Sequence, residues 1–181
     1  MSLTINFDGK TISLTEHALG GKAYVYLGSD NMIYYLLDDE FAFEKEFLVM
    51  ANKGNNIHIP DIRHVGTTLH NGLRYEVFRS PLYYKKNAQN MALAKKIEKD
   101  VRYYGGLPIT RDLSHSMIGK YPQSIIDAIR TFEQVAIDND LEDVEWDMHI
   151  HNMMQDELGN LIFIDPIQEF ETNSYEDESD E

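Results

Sequence analysis

Two turn dipeptides constrain this chain more than any other feature. Asp8-Gly9 and Asn71-Gly72 each separate two runs rich in β-branched and aromatic residues: Leu3–Phe7 from Thr11–Thr15, and Ile62–Thr67 from Leu73–Phe78. Such dipeptides between apolar runs are a strong short-range hairpin signal. Ala23–Leu27 and Met32–Leu37 read as two further strands, joined by the turn residues Gly28-Ser29-Asp30-Asn31. A single helical stretch interrupts the pattern. Asp38-Asp39-Glu40 places acids where a helix N-terminus favours them, and Phe43, Phe47, Met50 and Ala51 recur at helical spacing to about Asn52. Gly54-Asn55-Asn56 ends it. The first 80 residues therefore read as an antiparallel meander with one inserted helix.

Beyond Pro81 the period changes. Asn87–Tyr104 and Gln123–Ile137 carry helical spacing, with Gly105-Gly106 and Pro108 between them and Pro122 suited to a first helical turn. Next come Asp147–Asn152, Met153-Met154-Gln155, a turn over Asp156–Asn160, and the apolar run Leu161–Ile164, which together predict a second small hairpin. Glu171–Glu181 is polar and acidic and reads as a disordered tail. The pattern divides into residues 1–80, a sheet with one helix; residues 81–170, mainly helical with the hairpin; and the tail, 171–181.

A length of 181 residues suits one ordinary domain or a small two-lobed one. Zero Cys excludes a disulfide scaffold and thiolate metal clusters, and suits the cytoplasm. No apolar run reaches the roughly 20 residues of a membrane span, and no signal peptide opens the chain. The 31 acids against 16 bases give a net charge of −15, which argues against direct nucleic-acid binding. The charge is also uneven. Through Arg130, 16 bases face 14 acids; from Thr131 onward there are 17 acids and no Lys or Arg. Such a rear half suits a basic protein partner or a site that handles cations.

One stretch carries chemistry: Trp146-Asp147-Met148-His149-Ile150-His151-Asn152, followed after the hairpin by Asp165-Pro166. An Asp, an Asn five residues on, and an Asp at the end of an apolar strand form a phosphoryl-transfer arrangement. The first orients or accepts the proton of the acceptor hydroxyl; the other two offer the hard oxygens that Mg²⁺ requires.

On these residues the sequence resembles the protein-kinase-like fold, an α+β architecture with a small antiparallel-β N-lobe carrying one helix and a reduced, mainly helical C-lobe carrying the catalytic hairpin. It is most similar to the aminoglycoside phosphotransferase branch and to the atypical serine/threonine kinases of lytic phages. The resemblance implies an ATP- and Mg²⁺-dependent phosphotransferase, with Asp147 catalytic and Asn152 and Asp165 on the metal. It also implies nucleotide contacts from the reduced glycine loop Gly20-Gly21-Lys22, with Glu44 or Glu46 on the following helix as the partner of Lys22, Glu44 being favoured. Departures are plain: Glu145 stands where typical kinases have His, Asp165-Pro166-Ile167 replaces Asp-Phe-Gly, and Met32–Leu37 lacks the usual Lys. Only 16 residues follow Asp165, so the resemblance covers the front of such a domain, cut short after the metal Asp.

Plainer readings stand beside these. Asp and Asn favour turns anyway, and Lys22 is an ordinary solvated lysine beside a glycine turn. His149 and His151 alternate as metal ligands on a strand would, but no third nitrogen or sulfur ligand accompanies them. Trp146 reads as a packing residue. Arg79, Lys85, Lys86, Lys95, Lys96, Lys99 and Arg102 read as a solvated basic face. Two further functions fit the same residues: a catalytically impaired, pseudokinase-like interaction protein, and an acidic inhibitor, phage-encoded by the resemblance, that binds a basic host protein surface.

Overall fold

The structure is a computed structural model that describes residues 3–19, 23–104, 107–109 and 113–169. The expected acidic tail and Gly105-Gly106 lie outside the described residues. Strands β1 (Leu3–Phe7) and β2 (Lys10–Leu19) pair antiparallel across Asp8 and Gly9, whose φ values of 49° and 72° are both positive. That is the backbone of the tight hairpin turn that matches strand twist. β3 (Ala23–Gly28) and β4 (Met32–Leu37) follow, then helix α1 (Phe43–Ala51). β5 (Arg63–His70) and β6 (Leu73–Pro81) turn back at Asn71 and Gly72, with φ values of 52° and 81°. The sheet order is β1-β2-β3-β4-β6-β5, antiparallel throughout. It curls far enough that its edge strands β1 and β5 flank a single cavity of about 240 Å³.

Neighbouring residues of a strand point to opposite faces, and here that alternation separates two cores. Leu36 and Val77 join Leu14 and Tyr34 in a cluster on the concave side of the sheet. Leu37 and Phe78 point the other way, into the main core. Tyr34 is fully buried, and its hydroxyl donates to Asp30 Oδ2 at 2.9 Å; Arg79 reaches both Asp30 (3.0 Å) and the Tyr34 hydroxyl (3.0 Å). Burial opposes ionisation of Asp30, but Tyr34 and Arg79 outweigh it and hold the carboxyl below its ordinary value.

The rest of the described chain packs on the main core. It comprises α2 (Ala88–Val101), the short α3 (Leu113–Ser116), α4 (Gln123–Asp138) and the strands β7 (Val144–Trp146), β8 (Met153–Gln155), β9 (Leu161–Phe163) and β10 (Ile167–Glu169). Asn87 caps α2 by accepting from the Asn90 amide. β8 pairs with β9, and β7 with β10. Phe132 of α4 is the junction: its ring lies 5.8 Å from Phe47, 6.0 Å from Phe163 and 6.4 Å from Trp146, a set of aromatic contacts joining α1, α4, β7 and β9.

The expected kinase-like architecture, a small sheet lobe set against a mainly helical one, is not what the chain forms. Strand and helix hold nearly equal shares, six strands build one curled, nearly barrel-shaped antiparallel sheet, and no kinase-like lobes are present among the described residues. The physical reason is the core. Phe47 and Phe78 from the front of the chain share one continuous apolar cluster with Ile97, Phe132 and Phe163 from the rear, so the helices have no separate core of their own. The rear half also holds the β7–β10 pair, which is too short to carry a period-two signal. No helix among the described residues is long and apolar enough to cross a membrane.

Two substitutions test this packing. A Cβ at Gly28 would lie 2.5 Å from Tyr34 Cε2 and 2.5 Å from Asp30 Oδ1. Gly28→Ala should therefore lower stability by about 1–3 kcal/mol through overpacking. Phe132→Ala should lower it by about 3–5 kcal/mol through cavity formation. Urea unfolding midpoints at constant m-value check both.

Candidate functional site

Two backbone hydrogen bonds bring the sequence-predicted residues together. The Ile164 amide donates to the Asn152 carbonyl, and the Asp147 amide donates to the Pro166 carbonyl, each at 2.9 Å. The first extends the β8–β9 ladder, and the second continues the β7–β10 pairing of Trp146 with Ile167. Asp147 leaves β7, Asn152 closes a single 3₁₀ turn (Ile150–Asn152), and Asp165 sits between β9 and β10. His149 caps that turn, its Nδ1 accepting from the His151 amide at 3.2 Å. His149 and His151 are therefore loop residues and do not form the alternating strand pair of a metal site.

The Asn152 side chain braces Asp147. Its Nδ2 donates to the Asp147 carbonyl at 2.8 Å and to Oδ2 at 2.7 Å, while His149 Nε2 lies 3.5 Å from Oδ1. Burial raises the proton affinity of the Asp147 carboxyl, and the charges of Asp165 and Glu145 add to the rise; His149 and Asn152 oppose it without cancelling it. These bonds leave Asn152 Oδ1 and Asp165 Oδ2 without a protein partner among the described residues. They are hard oxygens of the kind that Mg²⁺ takes in small number beside phosphates and water. No group of three or more His, Cys, Asp or Glu set to hold a metal occurs among the described residues.

Lys45 completes the site, and the sequence reading passed over it. Its Nζ donates to Asp165 Oδ1 at 2.9 Å and to the Ile164 carbonyl at 3.1 Å, and lies 5.2 Å from the Tyr35 ring centre. The side chain is buried, which opposes its charge, but Asp165 and Tyr35 outweigh the burial and raise its proton affinity. A signal was present: Lys45 falls three residues after Ala42 and three before Leu48, on the apolar phase of α1, where a lysine needs a carboxylate. The same phasing leaves Glu46 exposed and Glu44 half-buried, close enough that its charge acts on Lys45. Gly20, Gly21 and Lys22, the expected nucleotide loop, lie outside the described residues.

Members of the expected basic face serve the surrounding scaffold. Arg79 is bound to Asp30, and Lys86 donates to the Ile150 carbonyl at 2.7 Å and to the Met153 carbonyl, stitching the Asn152 loop to the segment before α2. Burial lowers the proton affinity of Lys86. His58 locks the other end of β9. Its Nδ1 lies 2.6 Å from the Leu161 carbonyl and its Nε2 2.9 Å from Ser124 Oγ, while its own carbonyl accepts from the Phe163 amide. A carbonyl can only accept, so Nδ1 carries the proton and Nε2 accepts from the Ser124 hydroxyl. Trp146 packs in the core as expected, and its Nε1 has no partner among the described residues. Beside Asp147 a cavity of about 270 Å³ is lined by Glu98, Val101, Arg102, Trp146, Met148 and His149.

No protein-family model, curated protein or solved structure matches this chain.

The electrostatics make two testable statements. A raised carboxyl holds its proton in the folded chain after the unfolded chain has released it. Stability therefore falls as pH rises from 3.8 through the folded value of Asp147, and the loss persists at pH 7. Asp147→Asn keeps an acceptor for Asn152, so the variant should be more stable than wild type at pH 7, with the gain shrinking towards pH 4 in thermal scans. His58 behaves oppositely, since burial depresses its value below 6.5. The unfolded chain then binds the proton first, and stability falls as pH drops from 6.5 through the folded value, by at most about 1.4 kcal/mol per pH unit. His58→Gln lacks this component, so the stability gap between variant and wild type should narrow on acidification in urea unfolding series.

Proposed function

We propose that the chain is an ATP- and Mg²⁺-dependent phosphotransferase acting in the cytoplasm on a hydroxyl acceptor, with serine or threonine of a protein as the first acceptor to test. One observation carries the reading: Lys45, the Asp147–Asn152 loop and Asp165, three separate parts of the sequence, meet around the Asp147–Pro166 and Ile164–Asn152 backbone bonds. In this reading Asp147 takes the acceptor's proton, a task suited to a carboxyl whose proton affinity is already raised. Asn152 holds it in place through Nδ2 and, with Asp165, would hold Mg²⁺, which when bound neutralises phosphate charge. The cavity beside Asp147 gives the acceptor hydroxyl room to approach. Gly20, Gly21 and Lys22, with Glu44, are the proposed nucleotide contacts.

A second reading rests on the Lys45–Asp165 pair. An ammonium 2.9 Å from Asp165 Oδ1 already neutralises the carboxylate that a metal ion would need, which favours a non-catalytic interaction protein. Thermal scans with nucleotide and transfer assays with labelled ATP separate the two. The phosphotransferase reading expects Mg·ATP to raise the unfolding midpoint, Asp165→Asn to abolish the Mg²⁺-dependent part, and Asp147→Asn to cut transfer by about 10²–10⁴-fold while binding persists. No stabilisation by ATP or GTP at millimolar concentration would overturn it. Nucleotide binding without any transfer that depends on Asp147 would favour the second reading.

A further inference from the structure

Three of the exposed large apolar side chains, Ile57, Tyr84 and Leu158, converge on one cavity of about 510 Å³. They are 53%, 44% and 82% exposed, and solvent contact at a shared concavity marks an interaction surface more strongly than single exposed residues do. The cavity lies where the β3–β4 turn, the loop before β5, the segment after β6 and the β8–β9 turn meet. It is preformed: the Tyr84 amide donates to the Gln155 carbonyl at 2.7 Å, and the Gln155 amide returns a bond at 3.0 Å, clamping two of these segments together. None of Lys45, Asp147, Asn152 and Asp165 lines it.

Its charge is one-signed. Asp61, Asp156 and Glu157 line the cavity, and no Lys, Arg or His does. Arg63 partly offsets Asp61 at 3.3 Å, and Asn160 occupies both Asp156 oxygens without neutralising them. Glu157 has no hydrogen-bond or ion-pair partner among the described residues. An apolar floor beside uncompensated carboxylates is complementary to a cation next to an apolar anchor. A second copy of this chain, with net charge −15, would bring like charge to the same face.

We infer that this cavity is the docking surface for a basic segment of a partner protein, one that presents Lys or Arg beside a Leu-like side chain. The apolar anchor enters between Ile57, Tyr84 and Leu158, and the cation rests against Asp156 and Glu157. The surface is separate from the proposed phosphotransfer site, so its occupancy stands or falls independently of nucleotide binding.

Titration of the ¹⁵N-labelled chain with a short acetylated Arg/Leu peptide, and with its Glu/Leu counterpart, tests the inference. Binding of the basic peptide should shift the amides of Ile57, Tyr84 and Leu158, and it should weaken several-fold between about 50 and about 500 mM salt. The double variant Glu157→Lys, Leu158→Ser alters an unpartnered and an 82% exposed residue, so the fold should persist by circular dichroism while affinity falls about tenfold or more. Equal binding of the acidic peptide, shifts confined to other surfaces, or unchanged affinity of the double variant would overturn it. So would a peptide-free dimer in sedimentation that the double variant abolishes, because the occupant would then be a second copy.

Discussion

The ammonium of Lys45 is the constraint on which the rest of the arrangement depends. A desolvated cation in an apolar core is tolerated only with a carboxylate against it, and removing one partner of such a pair is far more damaging than replacing both. Asp165 supplies that carboxylate from 120 residues away in sequence. Meeting Lys45 fixes the bend between β9 and β10; β10 then pairs with β7, and β7 delivers Asp147. Helix α1 is therefore both a packing element and the anchor of the rear strands. Lys86 and His58 repeat the device on a smaller scale, each satisfying backbone carbonyls of the same hairpin from a distant segment.

The two carboxylates of the site sit in unlike surroundings although they belong to one constellation. Asp165 faces a cation, whereas Asp147 is partly desolvated and touched by Asn152 and His149, with the charges of two other acids adding to the rise in its proton affinity. Divergent environments for neighbouring acids are how a site divides roles between residues of the same type. The acidic rear half has a local explanation to this extent: some of its charge is confined to the site, and some lines the cavity at Asp156 and Glu157.

Local chemistry was the legible part of the fold. Asp8-Gly9 and Asn71-Gly72 announced their turns because positive φ is demanded of two adjacent residues and few residue types meet that demand. The Asp147–Asn152–Asp165 spacing was legible because the β8–β9 hairpin is short and its turn residues are explicit. The overall architecture was not. Whether helices α2 and α4 form their own lobe or share a core with α1 depends on contacts such as Phe132 with Phe47, 85 residues apart, and no local pattern encodes them. Lys45 was missed for a related reason: the acids of α1 were assigned to a partner role for Lys22, and only the helical phase shows that the residue between Glu44 and Glu46 turns inward.

Trp146 is the chain's only tryptophan, immediately before Asp147 and packed against Phe132. Its indole is 4% exposed and shares the wall of the cavity beside the candidate catalytic carboxyl. Tryptophan emission, excited beyond the absorption of the 11 tyrosines, is consequently a single-site signal, reporting the aromatic junction and the approach to Asp147 together, without any label. A ligand entering beside Asp147 and a loss of packing at Phe132 would both change that emission, and a denaturant series distinguishes them by cooperativity.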